Sequence, residues 1–270
     1  MHDNGLPPLA LTSDKLIFDS GGVWRLYRID NPYVLVLGNG TGQFIPWTIA
    51  ILESSLREIQ LFTTGERTAS GLYPDPLETG LGQRLLVLWL AHHGGLMVHG
   101  CGVVDDEKGY LFAGNSGHGK STMARLWQGH GTILCDERVV IRHVNGQFRI
   151  YGTPWHSDVT EVSAGSARVD KIFFLGHHAS NESRRQTATS ALAKLLARAY
   201  HPFWDETGMN TTLDFCSRLV DSVPSYELLF APNEQMIDFV RRMSNYVDPR
   251  DTHGKDKRFA GGNLPAHAGG

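Results

Sequence analysis

The sequence predicts a small β-rich region over residues 1–80, followed over residues 81–248 by a larger part in which strands and helices alternate around a phosphate-binding loop. Three observations carry this expectation. The stretch "YLFAGNSGHGKSTMARLW", Tyr110 to Trp127, matches the pattern G-x-x-x-x-G-K-[ST] with nothing inserted or missing. Residues 14–64 are dense in β-branched and aromatic residues interrupted by turn signals. Beyond residue 81, short apolar runs alternate with segments whose apolar residues recur every three or four positions.

In the first region "KLIFD", "VWRLYRI", "YVLVLG" and "IQLFTTG" read as strands, with "SGG", "DNP" and "GNGTG" as turns between most of them, and together they predict a small sheet. Proline and glycine in "SGLYPDPLETGLG" mark a junction. "QRLLVLWLAHHGG" then reads as a buried helix stopped by Gly94 and Gly95. The paired histidines at 92–93 and 177–178 do not share a face on a helix or strand, so they read as loop or surface residues rather than metal ligands.

Strands "LMVHGCGVV" and "YLFAG" come next. The second of these, Tyr110 to Ala113, leads into the glycine motif, and Met123, Leu126 and Trp127 give the face of a short outgoing helix that Gly129 and Gly131 end. There follow a strand "TILCDE" and a hairpin of "VVIRHV" and "QFRIYG" about an Asn145-Gly146 turn. A strand "KIFFL" precedes a helix with Leu192, Leu195, Leu196, Ala199 and Tyr200 on one face. Leu213, Cys216, Leu219, Val220 and Val223 mark another helix, and strand "YELLFA" and a helix through Met236 and Val240 complete the order. The segment 249–270 has too few apolar residues to fold alone and is expected to be disordered.

With 41% hydrophobic residues and 10% aromatics the chain can build a substantial core. A formal charge of −3 and a pI near 6.5 supply no basic field for nucleic acid or an anionic membrane surface. Cys101, Cys135 and Cys216 are too scattered for a metal pair or a disulfide framework and read as small buried hydrophobes in a reducing compartment. The first residues lack a basic segment followed by an apolar stretch, and the apolar helix near 81–91 is too short to span a bilayer. A cytoplasmic location without membrane or nucleic-acid partners is therefore expected.

Glycines in such a strand-to-helix turn let the backbone take positive φ and approach a phosphate, while successive N–H groups at the helix start point at the anion. The nucleotide-binding set is accordingly Gly114, Asn115, Ser116, Gly117, His118, Gly119, Lys120, Ser121 and Thr122. Lys120 reaches the β and γ phosphates and the Ser121 hydroxyl a magnesium ion, so ATP and Mg2+ are the expected cofactors. His118 fills a position the pattern leaves open and is assigned only contact with the nucleotide. "TILCDER" supplies carboxylates, Asp136 and Glu137, at the end of a strand that can lie beside the loop.

The order "VHG", "FAGNSGHGKST", "ILCDERV" resembles the HPr kinase/phosphorylase catalytic domain and its relatives the phosphoenolpyruvate carboxykinases. The resemblance covers about residues 95–155 and implies an α/β fold with a mixed sheet, a P-loop kinase domain of that type. It matches His99 to the upstream histidine, Asp136 and Glu137 to the acidic pair and Arg138 to the following arginine. The second acidic position carries Glu137 instead of aspartate, no downstream glycine-rich phosphorylase segment is present, and the first region does not match that enzyme's amino-terminal domain.

The expected function is an ATP- and Mg-dependent transfer of the γ-phosphoryl group to a hydroxyl, Ser or Thr of a peptide or protein other than HPr, or of a small molecule. Asp136 is taken as general base, with His99 and Lys120 as further catalytic residues, and Ser121, Glu137 and Asp136 hold the metal. Arg138, with Thr153 and His156 of "YGTPWHSD", is placed on the substrate side; a tight turn closed by Pro154 with Trp155 packed on the core explains that segment as well. The alternative is a nucleotide-binding regulatory or assembly module with little catalysis. A carboxykinase-type reaction is disfavoured by length and by the lack of an oxaloacetate-binding segment.

Overall fold

The computed structural model describes residues 6–30, 32–39, 44–53, 56–64 and 80–245, so most of the expected junction and the whole of the 249–270 segment lie outside the described residues. Strands β1 (Leu16–Asp19), β2 (Trp24–Arg28), β3 (Tyr33–Asn39), β4 (Ile45–Leu52) and β5 (Ile59–Thr63) form an antiparallel sheet in that spatial order. β4 was not among the strands expected from sequence, and it carries Pro46, a residue confined to edges and irregular positions of sheets. The sheet accommodates it at an irregularity: the register shifts between Leu37 and Gly38, and Gly38 pairs with Pro46.

Both faces of this sheet are covered, which is why β3 reads as an unbroken apolar run rather than an alternation. Leu26, Leu35, Leu37, Ala50 and Leu52 pack with Leu81 and Leu88 of the following helix segment. On the other face Tyr27, Val34, Val36 and Ile49 are packed by Leu6, Leu9 and Leu11. Helix α1 (Gly82–His92) buries Val87, Leu88, Leu90 and Ala91. It ends where expected, since Gly94 at φ 69° turns the chain directly into the next strand.

That strand is β6 (Gly95–Asp105), and it is followed by β7 (Lys108–Ala113), α2 (Lys120–Trp127), β8 (Thr132–Cys135), β9 (Arg138–Val144) and β10 (Gln147–Tyr151). The chain continues through β11 (Ser166–His177), β12 (Glu182–Arg185), α3 (Ala188–Leu196), β13 (Ala199–Tyr200), α4 (Glu206–Ser222), β14 (Ser225–Phe230) and α5 (Gln235–Asn245). The strand order is β10-β9-β6-β7-β11-β14-β12, with β8 and β13 also pairing with β6. Neighbours β7, β11 and β14 run parallel while β6–β7 and β12–β14 are antiparallel, so the sheet is mixed and the chain is α/β. Asn145 at φ 51° and Gly146 at φ 76° make the expected hairpin turn.

Three sequence expectations change here. Ala199 and Tyr200 are not on a helix face: α3 stops at Leu196, and the two residues pair in β13 with Val98 and Met97. Leu213 points to solvent, because the buried stripe of α4 starts one residue earlier, at Thr212, and runs through Phe215, Cys216, Leu219 and Val220 at helical spacing. β12 was not anticipated, since Glu182–Arg185 is wholly polar or charged and pairs with β14 at the margin of the sheet.

By contact the described chain falls into two compact units, the first drawn from 1–99, 140–148 and 195–219 and the second from 100–139, 149–194 and 220–270. The core of the second unit joins Met123, Ala124 and Trp127 of α2 to Phe112, Phe173, Leu228 and Phe230 of the parallel strands and Met236, Ile237 and Val240 of α5. Burial of side chains of this size stabilises by about 1.5–3 kcal/mol each. No helix among the described residues is long and apolar enough to cross a membrane.

Candidate functional site

The parallel strand β7 delivers the chain into a loop, Gly114–Gly119, that opens directly into α2. Gly119 stands at φ 92° and Gly117 at φ 81°. A Cβ at Gly119 would meet the Phe230 ring at 2.7 Å, so glycine is needed there for space as well as conformation. A Cβ at Gly117 would meet nothing within 4 Å. The Met123 N–H bonds the Gly119 carbonyl at 2.8 Å, which closes the first turn of the helix.

Inside the loop, two donors converge on one oxygen. The Lys120 ammonium, on a residue only 6% exposed, donates to the Asn115 carbonyl at 3.2 Å, and the His118 N–H donates to the same carbonyl at 3.1 Å. Ser121 and Thr122, in the first turn of α2, are half-buried, whereas Asn115, Ser116 and Gly117 are exposed.

β11 runs past the end of β7, since its register pairs Phe174 with Ala113. The overhang grips the loop twice. His118 Nδ1 lies 3.1 Å from the Leu175 carbonyl, and His177 Nε2 lies 2.6 Å from the Gly117 carbonyl. The sequence reads His177 as a loop or surface residue, and it is exposed where it meets the glycine loop. The rule that adjacent histidines do not share a face holds, as His178 pairs with Ser180 and Glu182 instead. The missed signal is a polar residue closing an apolar parallel strand next to the loop strand.

The expected acidic pair separates in environment. Asp136 is fully buried, and its carboxylate accepts backbone N–H groups from Ser157 at 2.8 Å, Asp158 at 3.0 Å and Val159 at 3.2 Å. Three of its roughly four acceptor positions are thereby occupied. Glu137 keeps a side chain 23% exposed, with the Arg138 guanidinium 3.8 Å away, and its carbonyl accepts the Gly100 N–H at 3.0 Å.

Thr153 is buried. Its hydroxyl donates to the Arg138 carbonyl at 2.6 Å and accepts the Trp155 N–H at 3.3 Å, while the Cys135 thiol donates to the Trp155 carbonyl at 3.3 Å. The segment is therefore a hydrogen-bonded turn, with His156 exposed on it. It reaches α2 through Arg125 and Asp158 at 3.2 Å and through Gln128 and Glu161 at 3.4 Å. Arg168 is mostly exposed and lies 3.7 Å from Asp170.

Cys101 sits in the core of this unit with its thiol pushed well above its ordinary range, first by burial and then by the Asp136 charge, with the Lys120 ammonium opposing. The glycine loop, Asp136, Glu137, Arg138, Thr153 and His156 all belong to the second unit. His99 belongs to the first, half-buried on β6, with its N–H on the Arg198 carbonyl at 2.8 Å and its ring 6.5 Å from Tyr200. Among the described residues no group of three or more His, Cys, Asp and Glu side chains gathers as a metal cage.

Fold and site together define an α/β protein with a glycine loop between a parallel strand and a helix, and a buried carboxylate holding the neighbouring loop. The chain belongs to the family described as SynChlorMet cassette protein ScmC, whose model matches residues 82–229, more than half of the sequence. No curated protein is a significant match. Among solved structures, the Hpr(Ser) kinase/phosphatase from Coxiella burnetii matches with 11% identity and a TM-score of 0.34, covering 55% of this chain and 95% of that chain. Nothing about chemistry follows from a likeness of that size.

Proposed function

We propose that this chain is an ATP- and Mg-dependent kinase that transfers the γ-phosphoryl group to a hydroxyl, on serine or threonine of a peptide or protein other than HPr, in the cytoplasm. The observation that carries the reading is the convergence of the Lys120 ammonium and the His118 N–H on the Asn115 carbonyl at the start of α2. A phosphate oxygen competes well for such a pair, because charge-assisted hydrogen bonds to an anion are about twice as strong as neutral ones. The open space beside Gly117 leaves a backbone that a phosphate group can approach.

In this reading the loop residues Gly114–Thr122 bind and orient the polyphosphate, and Lys120 neutralises charge on the transferred group. The acceptor oxygen bonds to the γ-phosphorus as the bond to the bridging oxygen breaks, and ADP leaves. The acceptor proton passes to a carboxylate. Glu137 has exposed surface to meet an acceptor, whereas Asp136 is enclosed, so the base assigned to Asp136 from sequence moves to Glu137 and Asp136 positions the 157–159 loop. Ser121 would hold magnesium together with the phosphates, and the ion would supply positive charge that neutralises them. Arg138 and His156 are placed beside the acceptor.

The second reading, a nucleotide-binding module with little turnover, is favoured by one observation: the carboxylate that ends β8 is spent on three loop amides. Incubating the protein with γ-labelled ATP, Mg2+ and host lysate separates the two. Label on a discrete acceptor, lost in Lys120→Ala, supports the kinase. Tight ATP binding without labelled acceptor or ADP release supports the module.

A further inference from the structure

We infer that His177 is a positioning residue for the nucleotide phosphates, acting through the Gly117–His118 peptide; this rests on the nucleotide site proposed above. A carbonyl oxygen can only accept, so the 2.6 Å contact between His177 Nε2 and the Gly117 carbonyl requires a proton on Nε2, which donates to it. The peptide between Gly117 and His118 is planar and trans, so its C=O and N–H point in opposite directions. Drawing the carbonyl toward His177 therefore aims the His118 N–H the other way. That is the N–H found on the Asn115 carbonyl, beside the Lys120 ammonium.

The restraint matters because Gly117 has no conformational preference of its own. At φ 81° with nothing within 4 Å of a Cβ position, neither sterics nor packing selects one orientation of the following peptide. His177 itself is well held. It closes β11, pairs in register with Phe230 of β14, and its ring centroid lies 5.9 Å from that of Phe230. The ring also approaches a Gly119 Cβ position to 3.3 Å, so the side chain spans the loop from Gly117 to Gly119. Through it, two parallel strands of the sheet set the direction of one amide at the phosphate site before any ligand arrives. An anion then meets an oriented donor and does not bear the cost of ordering it.

The test is equilibrium binding of a fluorescent ATP analogue with Mg2+ to the full chain, alongside the melting temperature. His177→Phe keeps a ring against Phe230 and removes the donor, and its Kd should rise about tenfold, the effect of one well-made hydrogen bond. His177→Gln, which retains an N–H donor, should bind within about threefold of wild type. His178→Gln should bind as wild type, since that side chain pairs with Ser180 and Glu182 and not with the loop. His177→Ala supplies the donor-less comparison if Phe disturbs the fold. Wild-type affinity in a folded donor-less variant, or a Gln variant as weak as the donor-less one at native melting temperature, overturns the inference alone. No binding by the wild type overturns the nucleotide site and this inference with it.

Discussion

The carboxylate of Asp136 accepts the backbone N–H of Val159 at 3.2 Å, while the Val159 side chain is buried in the same core as Met123 and Trp127 of α2. A polar and an apolar anchor thus act on one residue, and they tie the loop after β10 to the helix that follows the glycine loop. The end of β8 and the buried face of α2 are coupled by this loop without needing any direct bond between Asp136 and Lys120.

Asp136→Asn tests that coupling. The amide offers one acceptor oxygen and turns two N–H groups toward backbone donors, leaving at least one buried amide unsatisfied. The expected loss is about 1–3 kcal/mol in urea unfolding, and phosphoryl transfer should fall with it. Glu137→Gln should leave stability within about 0.5 kcal/mol, since its side chain is partly exposed, and lower transfer by about a hundredfold or more through loss of the base. Equal destabilisation by the two substitutions would contradict the division of roles.

Lys120→Met keeps an unbranched chain of similar length and removes the charge. ATP affinity should drop by about ten- to a hundredfold, as for a charge-assisted hydrogen bond, with transfer falling below detection. Calorimetry against ATP and a labelled-transfer assay on the same preparation read both. Unchanged transfer in the folded variant would remove the glycine loop from the mechanism.

Two glycines of the loop make opposite demands. Gly117→Ala places a methyl in open space and carries only the strain of positive φ, about 1–2 kcal/mol. Gly119→Ala adds to that strain a 2.7 Å collision with Phe230. It should destabilise by about 1–3 kcal/mol more, the usual range for overpacking. Truncating the obstruction gives the check: Phe230→Leu should recover part of the loss at Gly119 and none at Gly117, measured as double-mutant cycles in urea.

The strand–loop–helix unit was legible because every link of it is local: an apolar run, glycines at fixed spacing, a lysine and serine, then apolar residues at helical period. The hairpin at Asn145-Gly146 was legible for the same reason. What escaped depends on distant partners. β4 was missed from sequence, and what makes it a strand is its pairing with β3 on one side and β5 on the other. Tyr200 continues the helical period of α3 but finds Met97 instead. Thr153 bonds the Arg138 carbonyl and Asp136 accepts amides of the 157–159 loop, partners fifteen or more positions away that sequence spacing does not reveal. His177 gains its place through the overhang of β11 beyond β7, a matter of register between strands separated by more than fifty positions.

The alkaline limit of stability gives a last prediction. Tyr110 is buried on β7 between Trp127 and Phe173, and burial pushes its phenol from 10.0 up to about 12. An acid whose folded pKa is raised keeps its proton in the native state after the unfolded chain has released it. The unfolded state therefore binds fewer protons between these two values, and stability must fall as pH rises. The contribution is intact below about pH 10 and is lost progressively up to about pH 12. A shift of this size is worth about 2–3 kcal/mol at most. Cys216, buried on α4, adds a similar slope from a lower start, since burial moves its thiol from 9.0 to about 12. Tyr110→Phe removes the ionisable group and keeps the ring, so the difference in unfolding free energy between wild type and variant isolates its share. That difference should stay constant from pH 7 to 9.5 and then move in favour of the variant by about 1–2 kcal/mol by pH 11.5. A difference that stays flat across this range would mean that the phenol is open to water in the native protein.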